Sequence, residues 1–155
     1  MLANCRIYQF FCHAYHVTCS AIHLSYKKIK LYKANKIMRN TTQIKQTAQQ
    51  TQIAIIGAGF GGLAMAIRLL KNNIQDFVIL EKAHDIGGTW RENQYPGAAC
   101  DVQSHMYSLS FAPKSDWSKR YAEAAEIFAY IQSLISTYDL KKYCQLNSEV
   151  IAAEY

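Results

Sequence analysis

The sequence predicts an α/β protein built on a Rossmann-like βαβ unit, and three observations carry that prediction. An apolar, β-branched run over Ile53–Ile56 leads directly into a glycine, as a fully buried parallel strand does. Apolar residues then recur at helical spacing between residues 63 and 70. A second apolar run over Phe77–Leu80 follows two asparagines that close the helix. This order predicts two neighbouring parallel strands joined by a crossover helix.

A glycine-rich turn stands between the first strand and the helix. Gly57, Gly59 and Gly62 satisfy the GxGxxG pattern of dinucleotide-binding loops. The first glycine permits a tight turn, the second lets the backbone approach a pyrophosphate, and the third allows close packing of the helix on the strand. The N-terminus of the helix then faces the anion. Glycine-rich turns also occur in loops that bind nothing, so the prediction depends on the flanking strand and helix.

A carboxylate stands at the end of the second strand. Glu81 follows the glycine motif at close to the spacing of about 20 residues expected for a ribose-binding acid. Such an acid accepts hydrogen bonds from the free ribose hydroxyls of FAD or NAD and repels a 2′-phosphate. Lys82 beside it weakens that exclusion only slightly. The alternative interpretation is a solvated charge at a strand end.

Two further elements are predicted towards the C-terminus. A helix beginning near Ala122 carries apolar residues along one side, namely Ile127, Ile131, Leu134, Ile135 and Tyr138. Residues 150–155 have the composition of a strand that begins the sheet that would continue the domain. We expect this end of the chain to be cut off within the domain.

The first 52 residues differ in composition from the rest. They contain eight Lys or Arg and no acid, whereas the residues from Ile53 onward contain nine Lys or Arg and eleven acids. The net charge of +6 therefore describes the leader and does not indicate a nucleic-acid partner for the folded part. We interpret residues 1–52 as a basic, flexible extension and residues 53–155 as the N-terminal part of a domain. A membrane-touching amphipathic helix over residues 27–45 is the alternative, and residues 10–21 form no secure targeting signal.

The five cysteines are scattered and include no CxxC pair. This pattern disfavours a disulfide scaffold and a ribbon-type zinc site, so we expect a reducing, cytoplasmic setting and no metal. A metal site formed by the cysteines and histidines of residues 12–23 is a minor alternative, because their spacing matches no standard site.

Two segments that follow Glu81 resemble a known family. Residues 86–90 give a glycine pair followed by Thr-Trp, and residues 95–111 read YPGAACDVQSHMYSLSF. Both are similar to flavoprotein monooxygenases of the Baeyer-Villiger class and their flavin-containing relatives, such as cyclohexanone-monooxygenase-like enzymes. The resemblance covers residues 53–155. Gln103 departs from the family pattern, in which proline is more usual.

The resemblance implies FAD as cofactor of an N-terminal FAD-binding domain. It implies that the glycine motif holds the pyrophosphate, that Glu81 binds the adenosine ribose, and that Thr89 and Trp90 line the flavin. Asp101 corresponds to an acid near the isoalloxazine and is the candidate catalytic residue. The implied cofactor-binding residues are Gly57, Gly59, Phe60, Gly62, Glu81, Gly88, Thr89, Trp90, Asp101 and Tyr107. Trp90 could instead be a core aromatic and Asp101 a turn cap.

The function implied by the resemblance is NADPH-dependent insertion of one oxygen atom into a ketone or heteroatom substrate. The family's second GxGxxG motif, which binds NADPH, and its FxGxxxHxxxWP signature do not occur in these 155 residues. We therefore expect the isolated chain to turn over poorly or not at all. Two alternatives stay open, namely another two-dinucleotide flavoprotein oxidoreductase and a non-catalytic nucleotide-binding remnant. A disulfide reductase is disfavoured because a redox CxxxxC is absent from the sequence.

Overall fold

The computed structural model describes residues 5–8, 24–26, 28–33 and 51–154. Two short 3-10 helices, Ser104–Met106 and Leu140–Tyr143, accompany the strands and α-helices. In chain order, the strands and α-helices are β1 (Cys5–Tyr8), β2 (Leu24–Tyr26), β3 (Lys28–Lys33), β4 (Ile53–Ile56), α1 (Phe60–Lys71), β5 (Phe77–Leu80), α2 (Thr89–Glu92), α3 (Ala124–Thr137), β6 (Cys144–Gln145) and β7 (Ser148–Glu154).

The predicted βαβ unit is confirmed. β4 and β5 pair in parallel from Ile53 opposite Phe77 to Ile56 opposite Leu80, and both strands have the predicted bounds. β6 adds a third parallel strand beside β5. All four residues of β5 are buried, as expected for a strand that is covered on both faces of a parallel sheet.

Helix α1 connects the two strands and packs on the sheet. Leu63, Ala66 and Ile67 are fully buried on the face that the apolar spacing predicted. The helix begins earlier than that spacing indicated, because the chain enters helical conformation directly after Gly59. It ends at Lys71, and the backbone N–H of the C-cap residue Asn72 donates to carbonyl groups of the last turn.

Helix α3 covers the same core from a later part of the chain. Ile127 and Ile131 are fully buried, and the predicted apolar side is confirmed except that Tyr138 lies half-buried at the helix end. Tyr130 on this helix was not among the predicted residues. Its hydroxyl accepts a hydrogen bond from Leu109 N–H at 3.0 Å and donates one to the Ala112 carbonyl at 2.6 Å. The helix therefore also anchors the loop that precedes it.

The first 33 residues contribute three strands, where no strand was predicted, and two of them, β1 and β3, pair with later parts of the chain. β1 lies parallel to β4, so that the larger sheet has the order β2-β1-β4-β5-β6. β3 pairs antiparallel with β7 in a second sheet, and the C-terminal strand is thus confirmed over Ser148–Glu154. The alternative of a helix over residues 27–45 is wrong for β3, whose backbone is extended.

Several sequence predictions fall largely on residues outside the described ranges. The flexible extension over residues 1–52 stays a prediction for this reason, as does the domain boundary at Ile53. The cysteines and histidines of residues 12–23 also lie outside those ranges. In the part of the chain that the structure describes, no helix is both long enough and apolar enough to cross a membrane.

Candidate functional site

The glycine motif forms a turn between β4 and α1 at the carboxyl edge of the sheet. Gly57 has a φ of +90°, a conformation that favours glycine, and its N–H donates to the Leu80 carbonyl at 2.8 Å. Gly59 is the N-cap of α1, and no side chain caps this helix end. The first N–H groups of a helix have no partner within it and carry the positive end of the helix dipole. Helix ends of this kind bind anions in other proteins, and an anion at this loop stays a prediction.

The second and third glycines of the motif serve different purposes. A methyl group on Gly62 would lie 2.0 Å from the Gly57 carbonyl oxygen, so this position is required for the close packing of α1 on the loop. A methyl group on Gly59 would find its nearest neighbour at 3.6 Å, which is ordinary contact. Position 59 thus has room for a methyl group in the fold itself, and a pyrophosphate at this loop stays a prediction.

Glu81 lies beside this loop and is only 5% exposed. One of its carboxylate oxygens accepts a hydrogen bond from Ala58 N–H at 2.7 Å, and the other accepts one from Ala83 N–H at 2.9 Å. The alternative of a solvated charge at a strand end is therefore wrong. Because a carboxylate has about four acceptor positions, each oxygen can still accept a hydroxyl group.

Arg91 is a residue of this site that sequence reasoning missed. Its Nη1 atom lies 3.9 Å from Oε1 of Glu81, and its side chain is 9% exposed. The guanidinium also donates to the Asp85 carbonyl, and Nη2 lies 2.7 Å from Oε1 of Glu92. Its position directly after Trp90 is the available sequence signal, but the ion pair forms only because the loop after Glu81 folds back on itself.

The second glycine segment packs directly on the phosphate loop. Gly87 N–H donates to the Ala58 carbonyl at 3.0 Å. Gly88 has a φ of +56°, and a methyl group there would lie 2.8 Å from Cα of Gly59. Any side chain at this position would push the two loops apart. The structure thus brings residues 86–90 to the glycine motif.

Three predicted cofactor-binding aromatics form a cluster beside these loops. Trp90 Nε1 donates to the Tyr107 hydroxyl at 3.0 Å, and the two rings meet edge to face with centroids 5.7 Å apart. The Phe60 ring lies 5.3 Å from that of Tyr107. All three side chains are partly buried against the core. That Trp90 lines a flavin stays a prediction, and a plain core aromatic stays its alternative.

Two other predicted residues lie on the surface. Thr89, the first residue of α2, and Asp101 are both exposed. Among the residues that the structure describes, the Asp101 carboxylate forms no hydrogen bond or ion pair with the other predicted site residues. The structure therefore places Asp101 apart from the contacts that hold the loops, the acid and the aromatic cluster together.

The two cysteines of the described C-terminal part carry thiols rather than thiolates. Burial, and to a smaller extent the nearby Glu81 carboxylate, raise the pKa of Cys144 to about 12. Burial also raises the pKa of Cys100. Both thiols are free, and both stay protonated at neutral pH, which makes them poor nucleophiles. This chemistry does not suit a disulfide reductase.

Comparison with known proteins gives consistent matches in sequence. Residues 55–124 match the family described as an NAD(P)-binding Rossmann-like domain. A Baeyer-Villiger monooxygenase of Streptomyces coelicolor is 46% identical over 106 residues, covering 68% of this chain and 20% of that protein. A protein of the same name from Pseudomonas aeruginosa is 45% identical over 117 residues, covering 75% of this chain and 22% of that protein. The chain thus spans about a fifth of the length of the curated relatives it matches.

Solved structures match the fold. A cyclohexanone monooxygenase with bound ε-caprolactone is 35% identical with a TM-score of 0.58, covering 62% of this chain and 20% of that one. An oxidized steroid monooxygenase bound to NADP is 37% identical with a TM-score of 0.56, covering 61% of this chain and 19% of that one. These matches confirm the Rossmann-like fold class and the resemblance to Baeyer-Villiger monooxygenases.

Proposed function

We propose that this chain, which resembles Baeyer-Villiger monooxygenases in sequence and fold, is the FAD-binding part of a flavin monooxygenase. One observation carries the proposal, namely that Ala58 links three predicted segments. Its N–H donates to Glu81 and its carbonyl accepts from Gly87 N–H, while the adjacent Gly59 touches Gly88. The glycine loop, Glu81 and the second glycine segment therefore meet at the carboxyl edge of the sheet, where ligands bind in open α/β sheets. The proposal assigns them the pyrophosphate, the ribose and the flavin side, respectively.

The arrangement suits each part of the cofactor. The N-terminus of α1 would hold the pyrophosphate, and Glu81 would accept hydrogen bonds from the adenosine ribose. Thr89, Gly88 and Trp90 would border the flavin, with Tyr107 held against Trp90 by its hydroxyl. Asp101 is proposed near the flavin by resemblance alone. When bound, FAD supplies the redox chemistry with NADPH and dioxygen.

The chain's own residues contribute binding and shielding. The Phe60, Trp90 and Tyr107 rings form an apolar wall, which limits the access of water to a cofactor at the loops. The reaction that we propose for the complete enzyme is insertion of one oxygen atom into a ketone or heteroatom substrate. The name of the cyclohexanone monooxygenase structure supports a ketone. A cytoplasmic setting is proposed as well, supported by the free thiols of Cys100 and Cys144.

A substitution at Gly59 tests this function. The backbone of Gly59 has a φ of −84°, which any residue adopts, and a methyl group meets only ordinary contacts. Gly59→Ala should therefore fold normally, but its methyl group should occupy the space that the pyrophosphate needs. We expect FAD affinity, measured by flavin fluorescence quenching on the full chain, to fall about tenfold or more.

Two controls make the outcome decisive. Thermal unfolding of Gly59→Ala should match that of the wild-type chain, and Ser136→Ala on the exposed face of α3 should leave FAD affinity unchanged. A wild-type chain that stays colourless after incubation with FAD would refute the proposal and favour a non-catalytic remnant. Unchanged FAD affinity in Gly59→Ala would refute the assigned pyrophosphate position.

A further inference from the structure

We propose that Arg91 is a positioning residue for ribose recognition, acting through the Glu81 carboxylate; this inference rests on the proposed function. Both side chains are largely withdrawn from water, with exposures of 9% for Arg91 and 6% for Glu81. A buried carboxylate without a compensating charge nearby is costly, and the guanidinium of Arg91 supplies that charge beside Glu81.

The geometry leaves Glu81 available to a ligand. At 3.9 Å, the contact between Nη1 of Arg91 and Oε1 of Glu81 is an attraction between charges and is too long for a hydrogen bond. Each oxygen of Glu81 accepts one backbone N–H, from Ala58 or from Ala83. Acceptor positions therefore stay open for hydroxyl groups, and Arg91 orients the carboxylate without using them.

Arg91 is itself held in place from several directions. Its guanidinium donates to the Asp85 carbonyl and to Glu92, and its backbone N–H donates to the Gly88 carbonyl at 3.1 Å. One side chain thereby connects the ribose acid, the loop that follows it and the first turn of α2. The orientation of Glu81 is in this way coupled to the helix that carries Thr89 and Trp90.

The three contacts of the Arg91 side chain depend on the planar shape of its guanidinium group. A guanidinium presents several N–H groups in fixed directions, so it can contact Glu81, Asp85 and Glu92 at once. A lysine ammonium is a point charge on a flexible stem and cannot reproduce all three contacts. Arg91→Lys should therefore retain part of the effect, and Arg91→Met, which keeps an unbranched apolar stem, should retain almost none.

The test compares two ligands that differ only at the ribose. ADP and 2′,3′-dideoxy-ADP are titrated calorimetrically into the full chain and its variants. The wild-type chain should prefer ADP by about tenfold or more, because the dideoxy compound cannot donate to Glu81. In Arg91→Met we expect ADP affinity to fall about tenfold while affinity for the dideoxy compound changes less than about twofold.

Two further variants identify the path of the effect. Glu81→Gln should reduce the preference for ADP in the same way, and the double variant Arg91→Met with Glu81→Gln should lose little more, since coupled residues are not additive. Lys119→Met removes an exposed cation paired with Glu123 and should change neither affinity.

Each remaining outcome also tests either the role of Arg91 or the proposed function. Equal losses for both ligands in Arg91→Met and Arg91→Lys would overturn the inference and leave Arg91 a merely structural role. A folded Arg91→Lys variant provides this comparison if Arg91→Met does not fold. A wild-type chain that binds ADP without preferring it over the dideoxy compound overturns the inference and the ribose contact proposed for Glu81, while the proposal of FAD binding stands. A chain that binds neither ADP nor FAD overturns the proposed function itself.

Discussion

At the scale of single residues, the glycines of the motif are needed for different reasons. Gly62 is fixed by the fold, since a methyl group there would collide with the Gly57 carbonyl whether or not a ligand is bound. Gly59 has room for a methyl group and is constrained only by what approaches it from outside. A loss of stability is therefore expected from substitution at Gly62, and a loss of affinity from substitution at Gly59.

Gln103 is a residue at which the chain can be stabilised. Its φ of −59° is close to the value that proline fixes, and no described residue accepts a hydrogen bond from its N–H. Gln103→Pro should raise the free energy of unfolding by about 0.4–1 kcal/mol, because it restricts the unfolded chain. Thermal unfolding measures the change, with Gln103→Ala as the control. A lower melting temperature for the proline variant would show that this turn needs the N–H or a different backbone.

At the scale of elements, helix α3 begins without the usual side-chain cap. Its N-cap residue, Glu123, forms no capping hydrogen bond. Instead Glu126 in the first turn accepts hydrogen bonds from Ser118 N–H at 2.9 Å and from Ser118 Oγ at 2.7 Å. These bonds, led by that of the backbone N–H, lower the pKa of Glu126. A loop residue is thus bound to the start of the helix in place of a cap.

The Glu126 contact should make stability depend on pH. A carboxyl whose pKa is lowered by folding contributes stability above its unfolded pKa of about 4.3, and that contribution is lost as the pH falls through the lowered value. Glu126→Gln does not titrate. The variant should therefore unfold at a lower urea concentration than the wild-type chain at neutral pH, and the gap should close in acid. A gap that is equal at both pH values would contradict this account.

The sequence predicted those elements whose evidence is local. The bounds of β4 and β5 follow from apolar runs that end at glycine or at a charge, and the buried faces of α1 and α3 follow from helical spacing. Arg91 and Tyr130 escaped prediction because their partners, Glu81 and the 109–112 loop, are distant in the chain. Contacts of this kind depend on how the loops fold, which the spacing of apolar residues does not predict.

At the scale of the whole molecule, the first 33 residues contribute strands to both sheets. β1 pairs with β4 along residues 53–55, and β3 pairs with β7. These strands were not predicted, because they are only three to six residues long and the positive charge of the surrounding residues suggested an extension. Their pairing gives β4 a hydrogen-bonded neighbour on each side.

Removing residues 1–50 tests whether these strands support the domain. Without β1, the backbone N–H and carbonyl groups of β4 form an open sheet edge, which can pair with another chain. We expect the shortened chain to melt at a lower temperature and to associate, as measured by thermal unfolding and size-exclusion chromatography. An unchanged melting temperature together with a monomeric elution profile would support the interpretation of residues 1–52 as a separate extension.

The contact between Gly59 and Gly88 has a consequence for how such a chain can diverge. A side chain at position 88 is excluded by the backbone of position 59, which belongs to a different segment. Position 88 should therefore stay glycine among descendants of a common ancestor, whichever small residue stands at position 59. A lineage that gains a side chain at position 88 has to relocate one of the two loops, and with it the residues proposed to hold both ends of the ligand.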